Sequence, residues 1–148
     1  MKTAITIIAL IVIIGAIILG TKKHNVSNQV STIVGCYQAN LGKDVYKLTI
    51  DSENNGEVAG SLSFKNYQKD SSSGSFVGTY ANEMLVGDYE FDSEGMHSIR
   101  QVAFKKVDTG FQEGFGDVAM EGNRESLKDL SNLSYDTSFT FVKGACTE

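Results

Sequence analysis

Between Val45 and Ala119 apolar residues recur in steps of two. Tyr46, Leu48 and Ile50 share one parity, with Lys47, Thr49 and Asp51 between them. Val58, Leu62 and Phe64 continue the pattern, followed by Phe76 and Tyr80, then Leu85, Tyr89 and Phe91, then Val102 and Phe104, then Phe111 and Phe115. This period marks strands with one buried face. Turn residues separate the runs. Asn55-Gly56 suits a two-residue hairpin, whose central positions both need positive φ. Ser71-Ser72-Ser73-Gly74, Asn82-Glu83, Ser93-Glu94-Gly95 and Asp108-Thr109-Gly110 fill the same role. Loops this short join antiparallel neighbours, because parallel pairs need a long crossover.

A meander of this length accumulates twist and carries exposed edges, and closure into a barrel removes both problems. Glycines inside the strand-like runs, among them Gly60, Gly74, Gly78, Gly87, Gly114 and Gly116, mark bends or close backbone approach. The absence of proline fits a sheet that uses nearly all its amide donors. The pattern therefore predicts an all-β fold: a closed, antiparallel, up-and-down meander barrel of about eight strands. Ile33 to Leu41 supplies the first strand and Ser138 to Val142 the last. Between them, Leu127, Leu130 and Leu133 stand at helical spacing, which predicts one short helix over Arg124–Leu133, plugging the barrel end or packing beside it.

The N-terminus is of another kind. Ala4 to Gly20 carries no charged side chain and is rich in isoleucine. Its length corresponds to about 26 Å of helix, near the lower limit for a bilayer span. The expected organisation is a membrane anchor over residues 1–21, with a cleaved signal peptide as the alternative, a polar tether over 22–32, and the barrel over 33–148. The basic residues flanking the run give no orientation.

The two cysteines sit beside the first strand and after the last. In a closed barrel those strands are neighbours, so a Cys36–Cys146 disulfide is geometrically reasonable; the alternative is two unrelated thiols. A disulfide places the domain in an oxidising space, hence an extracellular or periplasmic domain on a single-pass anchor.

A net charge of −5 argues against nucleic acid as a partner. The histidines, His24 and His97, have no companion at metal-ligand spacing, so neither metal nor cofactor is expected. Asp51, Glu53, Asn55 and Gly56 imitate the start of a calcium loop, but Leu62 stands where a bidentate glutamate belongs. The informative charges lie inside the strand pattern. Arg100 shares parity with Val102 and Phe104, and Glu113 with Phe111 and Phe115, so both point inward with the aromatic residues. Buried charges persist when paired. The pair is either an internal network fixing register or part of a polar pocket at the barrel mouth. Lys69, Asp70, Glu94, Tyr46 and Tyr80 complete the candidate ligand-binding set, and no catalytic residue is assigned.

Segments including Gly35-Cys36-Tyr37, Lys43-Asp44-Val45-Tyr46, Tyr67 to Gly74, Ser93 to Ser98, Gln101 to Lys105 and Glu113-Gly114-Phe115-Gly116 resemble a group of small bacterial proteins of uncharacterised role, particularly from candidate-phyla lineages. The resemblance spans nearly the whole barrel domain. It implies a bacterial origin, a signal or anchor and a cysteine near each end, and it carries no assigned function. The general plan resembles the calycin barrels, lipocalins and avidins, which is a likeness of fold and not of function. The expectation is a membrane-anchored extracytoplasmic barrel that binds a small ligand or an envelope component without catalysis. The alternatives are a structural or protein-interaction module, such as an enzyme inhibitor, and an acid–base enzyme using Glu113 or Glu94 with Arg100.

Overall fold

A computed structural model describes residues 33–146. The expected anchor and tether lie outside the described residues. Eleven strands follow one another: β1 (Gly35–Leu41), β2 (Asp44–Asn54), β3 (Glu57–Lys65), β4 (Ser72–Ala81), β5 (Met84–Ser93), β6 (Met96–Val107), β7 (Gly110–Phe115), β8 (Val118–Glu121), β9 (Arg124–Leu127), β10 (Ser134–Tyr135) and β11 (Phe141–Gly144). Strands β1 to β7 pair in sequence, each antiparallel to the next. Strand β11 then pairs with β7 on one side and β1 on the other, which closes an eight-stranded antiparallel barrel.

Local chemistry sets the hairpins. Asn55 and Gly56 adopt φ of 53° and 87°, the left-handed pair a two-residue turn requires. The calcium-like stretch before them is part of this hairpin: its strand carries a bulge between Ile50 and Ser52, and Glu53 Oε1 accepts the Gly56 amide at 2.7 Å. Gly78 faces Gly87 across β4 and β5, and a Cβ on either would meet the backbone of the opposite strand.

The inward parity is the predicted one. Leu48, Ile50, Val58, Leu62, Phe76, Leu85, Tyr89, Val102, Phe104, Phe111 and Phe141 are all buried. Edge-to-face contacts such as Tyr37–Phe111 (5.0 Å) and Phe104–Phe141 (5.5 Å) fill the middle of the barrel. One end is closed. The turns at 55–56, 82–83 and 108–109 gather there, and Ile33 is buried against it, its carbonyl accepting the Tyr37 hydroxyl at 2.6 Å. The opposite end carries the turns at 42–43 and 94–95 and the loop 66–71, and forms an open mouth.

Two elements differ from expectation. The predicted helix over Arg124–Leu133 is not formed. Arg124–Leu127 is strand β9, because the mouth-proximal part of β6 is an open edge: β7 pairs only with Ala103 to Val107, leaving Ile99 and Arg100 to pair with Arg124 and Glu125. After it, Asp129 Oδ1 accepts both the amide and the hydroxyl of Ser131, at 2.9 and 2.6 Å, a local bonding pattern that competes with helix. Leu133 lies on the outside of the wall, where Gly114 and Gly116 leave room for it. The last strand also starts later than the Ser138–Val142 estimate. Asp136 caps Ser138 in a second local turn, and Phe139 is buried before β11 begins.

Cys36 and Cys146 form a disulfide, with Cα atoms 5.2 Å apart, beside the β1–β11 seam at the closed end. The bond spans 110 residues of sequence. In the chain-entropy picture, closing a loop of that length contributes about 4–5 kcal/mol at most. Replacing both cysteines by serine is expected to lower the unfolding free energy by up to that amount in a denaturant titration. Detection of two free thiols by non-reducing mass spectrometry of the native protein would refute the bridge itself.

Candidate functional site

The open mouth is where polar residues meet the barrel interior. Its rim is stitched by the loop 66–71. The Asn66 amide donates to Ser71 Oγ at 3.1 Å, Asn66 Nδ2 to the Asp70 carbonyl at 2.6 Å, and the Tyr67 amide to Asp44 Oδ1 at 2.7 Å. Tyr46 then donates its hydroxyl to Asn66 Oδ1 at 2.9 Å, tying the rim to the inner wall. Behind the rim is a cleft of about 350 Å³. Tyr46, Phe64 and Phe91 form its apolar sides, while Asp70, Ser71, Ser72, Ser93 and Arg100 supply polar groups.

Aromatic side chains run round this end in a continuous series. Phe139 meets Tyr46 (5.4 Å), Tyr46 meets Phe64 (5.2 Å), Phe64 meets Tyr89 (5.6 Å), and Tyr89 stacks on Phe91 (4.6 Å). Strand alternation places these rings inward, and their positions near the mouth-side ends of β2, β3 and β5 gather them at one level.

Two polar groups are buried on this side of the core. The Tyr89 hydroxyl is fully buried and makes no hydrogen bond; Ser72 lies beside it without completing one. Glu113 is 8% exposed and has no hydrogen bond or ion pair among the described residues. Burial pushes its carboxyl up to about 7, and the positive charge of Arg100 opposes that rise only in part. Glu113 also acts electrostatically on Tyr46 and feels Arg100, and both of these line the cleft.

The expected inward pairing of Arg100 with Glu113 is not formed. Arg100 Nε instead lies 3.1 Å from Glu125 Oε1, because β9 lies beside β6 and sets Glu125 opposite Arg100. The guanidinium rests over the Phe91 ring at 5.6 Å. A bidentate bridge from Arg124 to Asp88, at 2.6 and 2.7 Å, holds β9 in that place.

Of the residues singled out from sequence, Tyr46, Arg100 and Asp70 line the cleft, and Glu113 is buried without lining it. Lys69 is exposed on the loop and does not line the cleft. Glu94 is exposed at the tip of the β5–β6 turn with φ of 52°. Tyr80 stands at the opposite, closed end, where its ring meets Phe111 at 6.4 Å. Tyr89 and Phe91 were legible as inward strand positions, but nothing in their parity says which end they reach. The Glu125 pairing had no local signal, since it depends on β9 docking. His97 sits on the outer wall, its ring nitrogens 2.8 Å from Glu90 and 3.1 Å from Asp92. These carboxylates, Asp92 first, raise its pKa. Among the described residues no cluster of histidine, cysteine and acidic side chains is suited to a metal ion.

Glu113 carries a pH signature. Unfolded, its carboxyl ionises near the ordinary 4.5; folded, near 7. Between these values the folded protein binds more protons than the unfolded chain, so stability falls as pH rises through the window and levels off above it. The full effect above pH 7 is about 3 kcal/mol. Glu113→Gln is expected to flatten this decline and to raise the melting temperature at pH 8, measured by thermal unfolding across pH. An unchanged pH profile would show that the carboxyl is not desolvated. No protein-family model, curated protein or solved structure matches this chain, so the site stands on its own geometry.

Proposed function

We propose that this protein is a non-catalytic binding protein that takes a small ligand through the open end of its barrel. The observation that carries the reading is a pair of buried polar groups, the unpartnered Tyr89 Oη and the Glu113 carboxyl, on the same side of the barrel as a cleft that joins three aromatic rings to polar side chains. A buried polar group without a partner costs free energy. Folds retain such groups where something else completes them, and ligand sites combine apolar walls with a few convergent polar groups. At about 350 Å³ the cleft is at the small end of that class. The disulfide and the apolar N-terminal run support an extracytoplasmic domain held at a membrane, where such a ligand is a solute or an envelope component. The similarity to uncharacterised bacterial envelope proteins belongs to the same proposal.

A partner-binding reading has one observation of its own. Met96 and Met120, 66% and 62% exposed, flank a groove beside the mouth, and exposed apolar surface attracts partners. The acid–base alternative has less support, since Glu94 stands apart, exposed at a turn tip.

Native mass spectrometry of the full chain purified from its host tests the proposal. The expected result is a retained small molecule that is absent from Ser93→Trp, a substitution that fills the cleft, while the variant keeps its melting temperature. Retention of the same species by a folded Ser93→Trp protein would move the site elsewhere.

A further inference from the structure

The groups left unsatisfied at the mouth define what would satisfy them. Among the described residues Arg100 is the only cation lining the cleft, and its charge is already met by Glu125 at 3.1 Å. Asp70 also lines the cleft, and the buried Glu113, which acts on the cleft residues Tyr46 and Arg100, has no ion pair among the described residues. Once Arg100 and Glu125 cancel, the surplus charge here is negative. An anionic guest would add to it; a cation would neutralise it.

The surroundings of Glu113 favour one kind of cation. The level of the barrel that holds it is walled by Phe139, Tyr46, Phe64, Tyr89 and Phe91 in successive contact. Ring faces attract a positive charge, most strongly when water is excluded. A metal ion would require several oxygen, nitrogen or sulfur ligands, and the described residues offer no such cluster. An ammonium group on an organic body needs only one carboxylate, a hydrogen-bond acceptor or two, and apolar walls for its carbon skeleton. The Tyr89 hydroxyl, without a partner, supplies an acceptor.

We infer that the ligand is an organic ammonium, a small amine whose protonated nitrogen pairs with Glu113 inside the aromatic ring of the mouth while its apolar body rests against Phe64 and Phe91. This rests on the mouth-binding reading and adds the chemical class of the guest. No covalent step is involved. The pairing requires ionised Glu113, so at a pH below about 7 binding displaces its proton. Of the groups that act electrostatically with this carboxyl, Arg100 is a guanidinium, and Tyr46, its phenol raised above the ordinary value chiefly by burial, stays neutral through that range. Affinity therefore falls as the solution is acidified below 7 and is level above it until the guest amine itself loses its proton.

Calorimetric titration of the full chain with 2-phenylethylamine, 2-phenylethanol and phenylacetate tests this. These probes share a ring and differ in charge. The amine is expected to bind about tenfold or more tightly than the alcohol, the scale of a charge-assisted hydrogen bond, and phenylacetate most weakly. Glu113→Gln should remove the preference for amine over alcohol. In the unaltered protein near pH 6, heats measured in buffers of different ionisation enthalpy should show proton release on amine binding. Equal binding of amine and alcohol, with both lost in Ser93→Trp, would overturn the ammonium inference and leave the mouth-binding reading standing. A preference for phenylacetate would do the same and shift the recognition to Arg100. Binding of no probe, or binding that a folded Ser93→Trp protein retains, would overturn both.

Discussion

The structure depends on one act of closure, the insertion of β11 between β7 and β1. Before that step the meander has two exposed edges, one from each end of a long stretch of chain. Pairing them satisfies the backbone donors and acceptors of both at once and encloses the apolar faces of every other strand. The cost is loop-closure entropy, since the partners lie far apart in sequence. The Cys36–Cys146 bridge acts on this same step, because it holds the seam together in the unfolded chain as well as in the folded one.

Closure is not uniform along the barrel axis. At the disulfide end Ile33 and Tyr37 seal the interior, and Phe111 and Phe141 fill it. Toward the other end β6 outruns β7, and its spare edge is taken by β9, which runs parallel to it. The wall therefore forks there, and the segment after β9 places Leu133 against Gly114 and Gly116 before β10 pairs with the mouth-side edge of β7, Tyr135 opposite Gly114. The same fork sets Glu125 beside Arg100 and gives that cation a partner other than Glu113. Glu113 is left without one. A single mismatch in strand length thus produces both the open mouth and the unpaired carboxyl beneath it.

That arrangement separates stability from recognition. The packed middle and the tied end supply the rigidity, while the mouth keeps Tyr89 and Glu113 at some expense of folding free energy. Rings held by strand geometry and a rim loop held by Asn66 need little reordering when a guest enters, which limits the entropic cost of binding.

Strand number, face and turns were legible in the sequence because the period-two alternation and the Asn55-Gly56 signal are local, and burial on one face permits only one register. The inward parity of Glu113 and Arg100 was legible for the same reason, as was the reach of Cys36 to Cys146 once closure was assumed. The leucines of 124–133 misled, since helical spacing and an extended segment crossing a glycine-lined wall both place Leu127 and Leu133 against apolar surface. What only the tertiary structure decided is which end of the barrel each inward residue occupies, and which charge meets which. Parity assigns a side chain to a face, but height along the axis and cross-strand partners arise from stagger, strand length and the docking of β9, and these are properties of the closed sheet rather than of any one segment.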